Sequence, residues 1–308
     1  LKMKKKILAI QGSSLKKINI KTDTSFFLGL EAQKRNYDIY YYEPKDLSFI
    51  DNKVIAQCNR VKFKNNIKKP IKTIRKNILN LANAELLLIR NEPPFNQQYI
   101  NTTFILEHIS KKIKIINDPR AIREVPEKLF SLRLTKFMPS TLISENLEEI
   151  KKFFDKNKKV IIKPVESYSG NDVKLLNKFN KLQITRYIKK HHHLMFQKFI
   201  PQISKGDKRI FIIDGKIKGA ISRLPKKGSI LSNMSKGASA KKINITNQEL
   251  KISKIVASEL KKQNIYFAGI DFINGKLIGD INVTSPTGLK TYYDLTGINL
   301  AEYFFDNI

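Results

Sequence analysis

Short apolar runs that alternate with helical segments constrain the fold of this chain more than any other feature. Up to residue 117 the sequence reads as the strands KILAI, YDIYYYE, ELLLIR and IKIIND, with helices predicted at 24–34 and 99–111. Strands that alternate with helices are typical of a parallel α/β sheet. Because such sheets bind ligands at loops beyond the carboxyl ends of their strands, the loops at 17–25 and 90–96 are candidate binding segments.

The pattern changes after residue 119, where PRAIREVPEKLFSLRL carries two prolines and suggests a crossing into a second unit. There the sequence predicts helices at 147–156 and 182–190 and a strand at 159–164. A third unit, beginning at about residue 197, is built mainly of hairpins and has one helix at 246–263. Asp214-Gly215 and Asn274-Gly275 are its expected turns, because these dipeptides favour two-residue hairpin loops. We therefore predict units at 1–120, 121–198 and 199–308.

The second hairpin brings three oxygen-bearing side chains together. Side chains alternate between the two faces of a strand, so Asp280 and Asn282 emerge on one face. Pairing about a two-residue turn puts Asp271 opposite Ile278, on that same face. Carboxylate and amide oxygens among apolar neighbours suit a hard cation such as Mg²⁺, with substrate phosphates and water completing its shell. The alternative is that these acidic residues are merely solvated beside a turn.

Positive charge is spread along the chain, which has 58 Lys and Arg against 27 Asp and Glu, a net charge of +31. Such a charge attracts nucleic acid, acidic proteins or anionic lipid. A nucleic-acid footprint, however, clusters on one element together with aromatic residues that stack on bases. Lys occurs here with abundant Ile and Asn, all encoded by A/T-rich codons, so we attribute the charge to genome composition and expect no nucleic-acid partner. The densest basic stretch, 62–76, is the best candidate for a nucleic-acid footprint. The alternative is that it forms a solvated loop and helix face.

Other compositional features narrow the class of protein. Apolar residues make up 41% of the chain, enough for a sizeable core at this length. No apolar run approaches the roughly 18–20 residues of a transmembrane helix. The basic start, LKMKKKILAIQG, has too short an apolar part for a signal peptide and suits a first strand. Cys58 is the only cysteine, which excludes an intrachain disulfide. We expect a cytoplasmic protein with no membrane partner.

Several segments, met in order, resemble the bacterial glutathione synthetases, which are ATP-grasp carboxylate–amine ligases. They are KINIKTDTSF, RNEPPFN, NDPRAIREVPEKLF, VIIKP, MFQKFIP, GDKRIFIIDGK, SRLP and GDINVTSPT, from about residue 18 to 288. The resemblance implies an α/β (α+β) ATP-grasp fold that follows an N-terminal parallel α/β domain. Residues 1–120 would then bind substrate, 121–198 would form a central lid and 199–308 would carry the metal site. It also implies a homo-oligomer.

The resemblance implies ligation that depends on ATP and Mg²⁺, with Mn²⁺ as the alternative metal. ATP phosphorylates the cysteinyl carboxylate of γ-glutamylcysteine, and the amine of glycine then displaces phosphate to give glutathione, ADP and phosphate. Such a reaction needs positioning, charge neutralisation and exclusion of water rather than a protein nucleophile. Two alternatives stay open: a divergent ligase with another carboxylate and amine pair, and a non-catalytic nucleotide-binding module.

The resemblance also assigns roles to individual residues. Asp271, Asp280 and Asn282 match its metal ligands. Contacts with ATP are implied for Lys128, Lys163, Gly170, Gln197, Lys198, Phe199 and Asp207. Arg209 and Arg223 match arginines near the transferred phosphate, where a planar cation suits a developing acyl-phosphate anion. Contacts with the small-molecule substrates are implied for Lys21, Ser25, Arg90, Ser285 and Thr287, although Ser285 and Thr287 also suit a simple turn.

The chain departs from the family pattern in three places. The glycine-rich loop D-G-x-G-G appears as ESYSG at 166–170, and a second glycine-rich segment is depleted at 233–238. Glycine lets backbone N–H groups approach phosphate closely, so these losses bear on closure over ATP. Asp280 stands where the family has Glu, displaced by one extra hairpin residue. Because Asp is shorter, we expect a bulge at Gly279 that restores the geometry.

Overall fold

A computed structural model describes residues 5–66 and 68–308, which form three β-sheets that follow one another along the chain. Residues 1–4, at the start of the first predicted unit, and Ile67, inside the predicted basic stretch, lie outside the described residues. Among the helices of the described part, none is long and apolar enough to span a bilayer. The boundaries of the three predicted units stay a prediction.

The first sheet is built on a parallel centre, as the alternation of strands and helices predicts. Its strands in the described part are β1 (Lys6–Gly12), β2 (Tyr37–Tyr42), β3 (Leu47–Ile50), β4 (Lys53–Phe63), β5 (Ile71–Asn80), β6 (Leu86–Arg90) and β7 (Lys114–Ile116). The spatial order is β3-β4-β2-β1-β6-β7, with β5 paired to β4, and β2, β1, β6 and β7 are mutually parallel. Its helices are α1 (Thr24–Lys34), α2 (Gln97–Glu107) and α3 (Pro119–Glu124).

The segment at 47–80 differs from the prediction. β3, β4 and β5 add antiparallel strands to the parallel centre. The basic stretch at 62–76 therefore lies in the β4–β5 hairpin, and its assignment to a loop and helix face is wrong. Most side chains of β5 are exposed on both faces. The strand consequently lacks the apolar alternation by which a half-buried strand is recognised in a sequence.

The second sheet is antiparallel and carries its own small core. In the described residues its strands are β8 (Thr141–Ser144), β9 (Val160–Pro164), β10 (Lys174–Leu176) and β11 (Leu194–Lys198), in the order β10-β9-β11-β8. Helices α4 (Leu147–Asn157) and α5 (Lys181–His191) pack on one face. Ile150 and Phe154 lie one turn apart on α4, so both reach the sheet, where they meet Ile162 and Phe196.

The third sheet is a set of antiparallel hairpins. Its described strands are β12 (Asp207–Ile213), β13 (Lys216–Leu224), β14 (Ser239–Lys242), β15 (Phe267–Ile273) and β16 (Lys276–Asn282), in the order β14-β13-β12-β15-β16. The accompanying helices are α6 (Asn247–Lys262), α7 (Leu289–Thr296) and α8 (Leu300–Asp306). Both predicted turns are confirmed: Asp214-Gly215 joins β12 to β13 and Asn274-Gly275 joins β15 to β16, each with positive φ at both residues.

The first and third sheets share one apolar core. Ile10 of β1 lies in the same buried cluster as Phe211 of β12 and Phe304 of α8. Asn117, just beyond β7, joins the two sheets by hydrogen bonds. Its Nδ2 donates to the carbonyl oxygens of Phe267 and Val283, each at 2.7 Å, and its Oδ1 accepts from the Phe267 N–H at 2.8 Å. These contacts fix the β15–β16 hairpin beside the carboxyl edge of the first sheet.

Candidate active site

A cleft with about 910 Å³ of space, part of it open to solvent, lies between the second and third sheets. It is lined by strand ends from both sheets, by the 166–170 loop and by residues 230–233. All the residues predicted for metal, nucleotide and phosphate transfer line it: Lys128, Lys163, Gly170, Gln197, Lys198, Phe199, Asp207, Arg209, Arg223, Asp271, Asp280 and Asn282. We refer to it below as the nucleotide cleft, after the role that the sequence predicts for these residues.

One end of the nucleotide cleft is apolar. Ile161, Phe199, Ile203 and Leu231 contribute to its walls. Gln197 is buried in β11, where its Nε2 donates to Thr141 Oγ1 at 3.1 Å. An apolar slot beside a strand end accepts a planar heterocycle, while charged groups at the other end of the cleft can bind charged parts of the same ligand.

The polar end is organised by a buried network of two arginines and two aspartates. Arg209 faces Asp271 across the β12–β15 ladder, and its Nε and Nη2 donate to the two carboxylate oxygens at 2.8 and 2.7 Å. Arg223 Nη2 reaches the same carboxylate at 2.9 Å. Arg223 also faces Asp207 across the β12–β13 ladder, with its Nε 2.8 Å from Asp207 Oδ1.

This network sets the charge of Asp271. Burial alone would raise the pKa of the carboxyl group, but the positive charges of Arg209 and Arg223 lower the pKa of Asp271 to about 2. The carboxylate is therefore ionised at neutral pH. Both guanidinium groups are held in fixed positions by carboxylates, so they are preorganised where they line the cleft.

Two lysines hold the second carboxylate. Lys163 Nζ donates to Asp280 Oδ2 at 3.1 Å and to the Ile278 carbonyl oxygen at 2.9 Å. Lys128 Nζ lies 3.7 Å from Asp280 Oδ1. Burial raises the pKa of Asp280, and these lysines lower it by more, so its net shift is downward. The Asp280 side chain keeps 24% of its surface exposed, which leaves it accessible to a ligand in the cleft.

The β15–β16 hairpin has a bulge at Gly279, as expected. Phe272 pairs with Leu277, but the next pair is Ile270 with Ile281, so Asp271 alone faces residues 278–280. The simple pairing of Asp271 with Ile278 is therefore wrong, because it ignores the extra residue that the bulge absorbs. Gly279 has a φ of +80°, a conformation that suits glycine at such a site.

The donor set at this hairpin fits a divalent cation. Asn282 Nδ2 donates to the Gly269 carbonyl oxygen at 3.0 Å, so the side-chain oxygen is the atom that remains for a cation. Asp271, Asp280 and Asn282 thus offer hard oxygen ligands, of which Asp271 also serves the arginines. Across the described residues no group of three His, Cys, Asp or Glu is arranged to hold a metal, so the set relies on two carboxylates and one amide.

The two glycine-depleted segments contact each other at the mouth of the cleft. Ser169 and Gly170 both have positive φ, and a Cβ on Gly170 would lie only 2.6 Å from Asn233 Oδ1. Lys236 Nζ donates to Asn171 Oδ1 at 2.8 Å. On the inner side, Lys128 Nζ donates to the Ser167 carbonyl oxygen. The 166–170 loop is therefore closed against its neighbour with a single glycine.

A second cavity, with about 800 Å³ of space that is partly open to solvent, lies at the carboxyl ends of β1 and β6. Four residues predicted for substrate line it: Ser25, Arg90, Ser285 and Thr287. Arg90 is buried, with its Nε donating to Ser25 Oγ at 3.1 Å and its Nη2 to the Pro286 carbonyl oxygen at 2.8 Å. Lys21 is exposed and does not line this cavity, whereas Lys17 of the same loop does. We call the cavity the dipeptide pocket, after the substrate that the resemblance implies for these residues.

A connecting cleft joins the two sites. It has about 1,380 Å³ of open space, and its walls include Arg209 and Asn282 from the nucleotide cleft and Ser285 and Thr287 from the dipeptide pocket. Groups bound in the two sites can therefore approach each other along it.

Glu127 is a site residue that the sequence reasoning missed. It lines both the nucleotide cleft and the connecting cleft. Its Oε1 accepts from Thr284 Oγ1 at 2.8 Å, and its carbonyl oxygen accepts from the Ile281 N–H at 3.2 Å. Burial raises the pKa of the carboxyl group, although Lys128 and Thr284 oppose the shift. The available signal was its position beside Lys128 in PEKLF.

Comparison with protein families identifies two adjoining regions. Residues 7–123 match the family model for the N-terminal domain of prokaryotic glutathione synthetase, and residues 127–297 match that for its ATP-grasp domain. Together these regions cover nearly the whole chain.

Relatives named glutathione synthetase align over nearly their full length. The chain is 36% identical to one from Bradyrhizobium diazoefficiens, covering 98% of this chain and 97% of the relative. It is also 36% identical to one from Buchnera aphidicola subsp. Baizongia pistaciae, covering 98% and 95%.

Solved structures agree at the level of the fold. The D-cycloserine synthetase DcsG superposes with a TM-score of 0.66 at 12% identity, over 98% of this chain and 99% of that one. D-alanyl-alanine synthetase A from Vibrio cholerae gives a TM-score of 0.62, also at 12% identity, over 98% and 97%.

Proposed function

This chain belongs to the prokaryotic glutathione synthetase family, and we propose that its nucleotide cleft and dipeptide pocket divide the work of the family's reaction. The protein is an ATP-dependent carboxylate–amine ligase. It joins glycine to the cysteinyl carboxylate of γ-glutamylcysteine through an acyl phosphate, giving glutathione, ADP and phosphate. The observation that carries the division of roles is the convergence of Lys128, Lys163, Arg209, Arg223 and the oxygen donors in one cleft.

In this proposal the nucleotide occupies the cleft with its base at the apolar end. Gln197, Lys198 and Phe199 form the wall beside the base, and Gly170 lies in the loop above the phosphates. Lys128 and Lys163 neutralise phosphate charge. Both lysines already lie beside Asp280, so an arriving phosphate would share cations whose positions are fixed.

The cation is Mg²⁺ in this proposal, held by Asp271, Asp280 and Asn282, because hard oxygen ligands favour it. When bound, it would neutralise the phosphate oxygens. The protein's own contribution is to hold these ligands: Arg209 and Arg223 orient Asp271, and Lys163 orients Asp280. Asp207 acts through Arg223, to which it is paired. Mn²⁺ also binds oxygen ligands and is the alternative cation.

Arg209 and Arg223 stabilise the transferred phosphoryl group in this proposal. They lie where the nucleotide cleft meets the connecting cleft. The dipeptide would bind through Ser25, Arg90, Ser285 and Thr287. Lys21 remains a predicted contact, and Lys17 is the lysine of that loop whose position favours the role. The homo-oligomer, the cytoplasmic location and the absence of a nucleic-acid partner stay predictions.

The direct test measures phosphate release from ATP with Mg²⁺ in the presence of γ-glutamylcysteine, glycine, or both. We expect release only with both substrates, accompanied by an equal amount of glutathione. Asp280→Ala should lower turnover on the order of 10²–10³-fold with an unchanged circular dichroism spectrum. Asp155→Ala, at an exposed position on helix α4, is the matched control and should keep full activity. Normal turnover in Asp280→Ala would rule out the metal assignment.

A further inference from the structure

We propose that Glu127 binds the amino group of glycine and takes a proton from it, so that the amine can attack the acyl phosphate. This role rests on the proposed function, because it assigns a residue to the second half of that reaction. Neither the metal ligands nor the contacts implied for ATP and the dipeptide include Glu127.

The position of Glu127 is the first support. It lies where the nucleotide cleft meets the connecting cleft, and it is half-buried there. Arg209 and Arg223 line both clefts as well. Of the residues that the structure describes, Glu127 is the only acidic one that lines both. A glycine that approaches along the connecting cleft therefore meets this carboxylate beside the arginines assigned to the transferred phosphoryl group.

The second support is the charge of Glu127, which lacks a cationic partner. The other acidic side chains of the nucleotide cleft each accept a hydrogen bond from a lysine or an arginine, at 3.1 Å or less: Asp207, Asp271 and Asp280. The adjacent Lys128 directs its Nζ to Asp280 and to the Ser167 carbonyl oxygen, and within the described part of the chain Glu127 forms no salt bridge. Removing a carboxylate from water without a counter-charge is costly, and the ammonium group of an amino acid supplies that charge.

The third support is that Glu127 is fixed in place with one oxygen still available. Its Oε1 accepts from Thr284 Oγ1 at 2.8 Å, and its backbone carbonyl oxygen accepts from the Ile281 N–H at 3.2 Å. Thr284 is uncharged, so it orients the carboxylate without neutralising it. Among the described residues Oε2 has no hydrogen-bond partner, and it is the atom that can accept from the ammonium group of glycine.

The chemistry requires such a group, because glycine is an ammonium ion at neutral pH and its nitrogen has no lone pair for attack. One proton passes from this nitrogen to Glu127 Oε2. The nitrogen lone pair then forms the C–N bond at the carbonyl carbon, the C–O bond to phosphate breaks, and phosphate leaves with that electron pair and takes the second proton from nitrogen. Burial raises the pKa of Glu127 above its ordinary value, which brings it closer to that of an amine and favours the transfer.

The experiment compares Glu127→Gln with the wild type, with either glycine or hydroxylamine as the amine. Hydroxylamine is largely uncharged at neutral pH, so it attacks an acyl phosphate without a base and gives a hydroxamate. Gln keeps an oxygen that can accept from Thr284, but it carries no charge and takes no proton. We expect Glu127→Gln to lower kcat/KM for glycine by about 10²–10⁴-fold. Hydroxamate formation from ATP, γ-glutamylcysteine and hydroxylamine should stay near the wild-type rate.

Two outcomes would overturn this role. Unchanged turnover with glycine would show that Glu127 does not act on the amine. An equal loss with both amines would show that the change affects the acyl phosphate or the fold instead.

Glu148→Gln is the matched control, since Glu148 is exposed in the first turn of α4 and lines none of the three cavities. It should keep wild-type rates with both amines, and a loss confined to glycine in this variant would also overturn the role of Glu127. If the wild type forms neither glutathione nor hydroxamate, the proposed function fails. If the wild type forms both and Glu127→Gln does not separate the two amines, the role of Glu127 alone fails.

Discussion

The carboxylate of Asp271 accepts hydrogen bonds from Arg209 and Arg223, so one buried anion serves two buried cations. Replacing it with Asn leaves both guanidinium groups without this counter-charge, and we expect the free energy of unfolding to fall by about 3–5 kcal/mol at pH 7. Because the pKa of Asp271 is lowered from 3.8 to about 2, its ionised form stabilises the fold above pH 3.8. That stabilisation is lost as the pH falls through 2.

Urea denaturation of the metal-free protein at pH 7 and at lower pH measures this effect. The difference in unfolding free energy between wild type and Asp271→Asn should narrow as the pH falls from 3.8 toward 2. Asp172→Asn provides the comparison, because the Asp172–Lys190 pair is exposed and should contribute less than about 1 kcal/mol. Equal losses in the two variants at pH 7 would contradict the assignment of Asp271 to a buried network.

Residues differ in how far the sequence could predict them. Asp271, Asp280 and Asn282 follow from a hairpin signal and strand alternation, and their place in one cleft agrees with that pattern. Glu127 could not be found in this way, because its role depends on Thr284, which lies 157 positions away in the sequence.

At the scale of elements, the bulge of the β15–β16 hairpin offers a test with a built-in control. Gly279 and Gly228 have nearly the same φ, +80° and +81°. A Cβ on Gly279 would lie 2.9 Å from Met138 Cε and 3.2 Å from Ser131 Oγ, whereas a Cβ on Gly228 would meet nothing within 4 Å. Alanine at either position costs about 1–2 kcal/mol for the left-handed backbone. Any additional loss of unfolding free energy at Gly279 therefore measures the effect of packing at the bulge.

We expect Gly228→Ala to lose about 1–2 kcal/mol of unfolding free energy and to keep normal turnover. Gly279→Ala should lose more, because Met138 Cε and Ser131 Oγ must give way to the new methyl group. It should also lower turnover, because this repacking takes place next to Asp280. Urea denaturation and glutathione formation measure the two effects. Equal stability losses with equal activity would show that the bulge does not set the position of Asp280.

The presence or absence of a local signal explains which elements the sequence predicts. α1 spans Thr24–Lys34, as predicted, because Asp23 caps it by accepting from the Phe26 N–H at 2.7 Å, a local signal. α6 begins after a capping box formed by Thr246 and Glu249 and ends within a residue of its predicted end. β5 has no such local signal. Its pairing with β4 is determined by tertiary structure, and an exposed edge strand rich in Lys resembles a loop.

At the scale of the whole molecule, the sheets differ in how they share their cores. One face of the second sheet has a core drawn from residues 142–196. Its other face contributes Met195 to a cluster with Ile210 and Phe272 of the third sheet. The first and third sheets instead bury Ile10, Phe211, Ile213 and Phe304 in one cluster. Periodicity shows which side chains are buried but not which sheets they join, so this sharing could not be derived from the apolar pattern. It depends on contacts such as those of Asn117, made across about 150 positions.

This arrangement predicts that the loss of a side chain from the core at residues 142–196 and the loss of one from the shared core of the first and third sheets destabilise different parts of the molecule. Ile162 and Ile213 are both buried β-strand residues, 1% and 0% exposed, so each change to Ala removes the same atoms and should cost about 2–5 kcal/mol. Native-state hydrogen exchange then shows which strands lose amide protection in each variant. Ile162→Ala should lower protection in the second sheet alone and weaken nucleotide binding, because the adjacent Lys163 and the 166–170 loop depend on that sheet. Ile213→Ala should lower protection in the first and third sheets together, although their strands are far apart in sequence. A loss confined to the third sheet would show that the first sheet is stable without it and that the common core does not couple them.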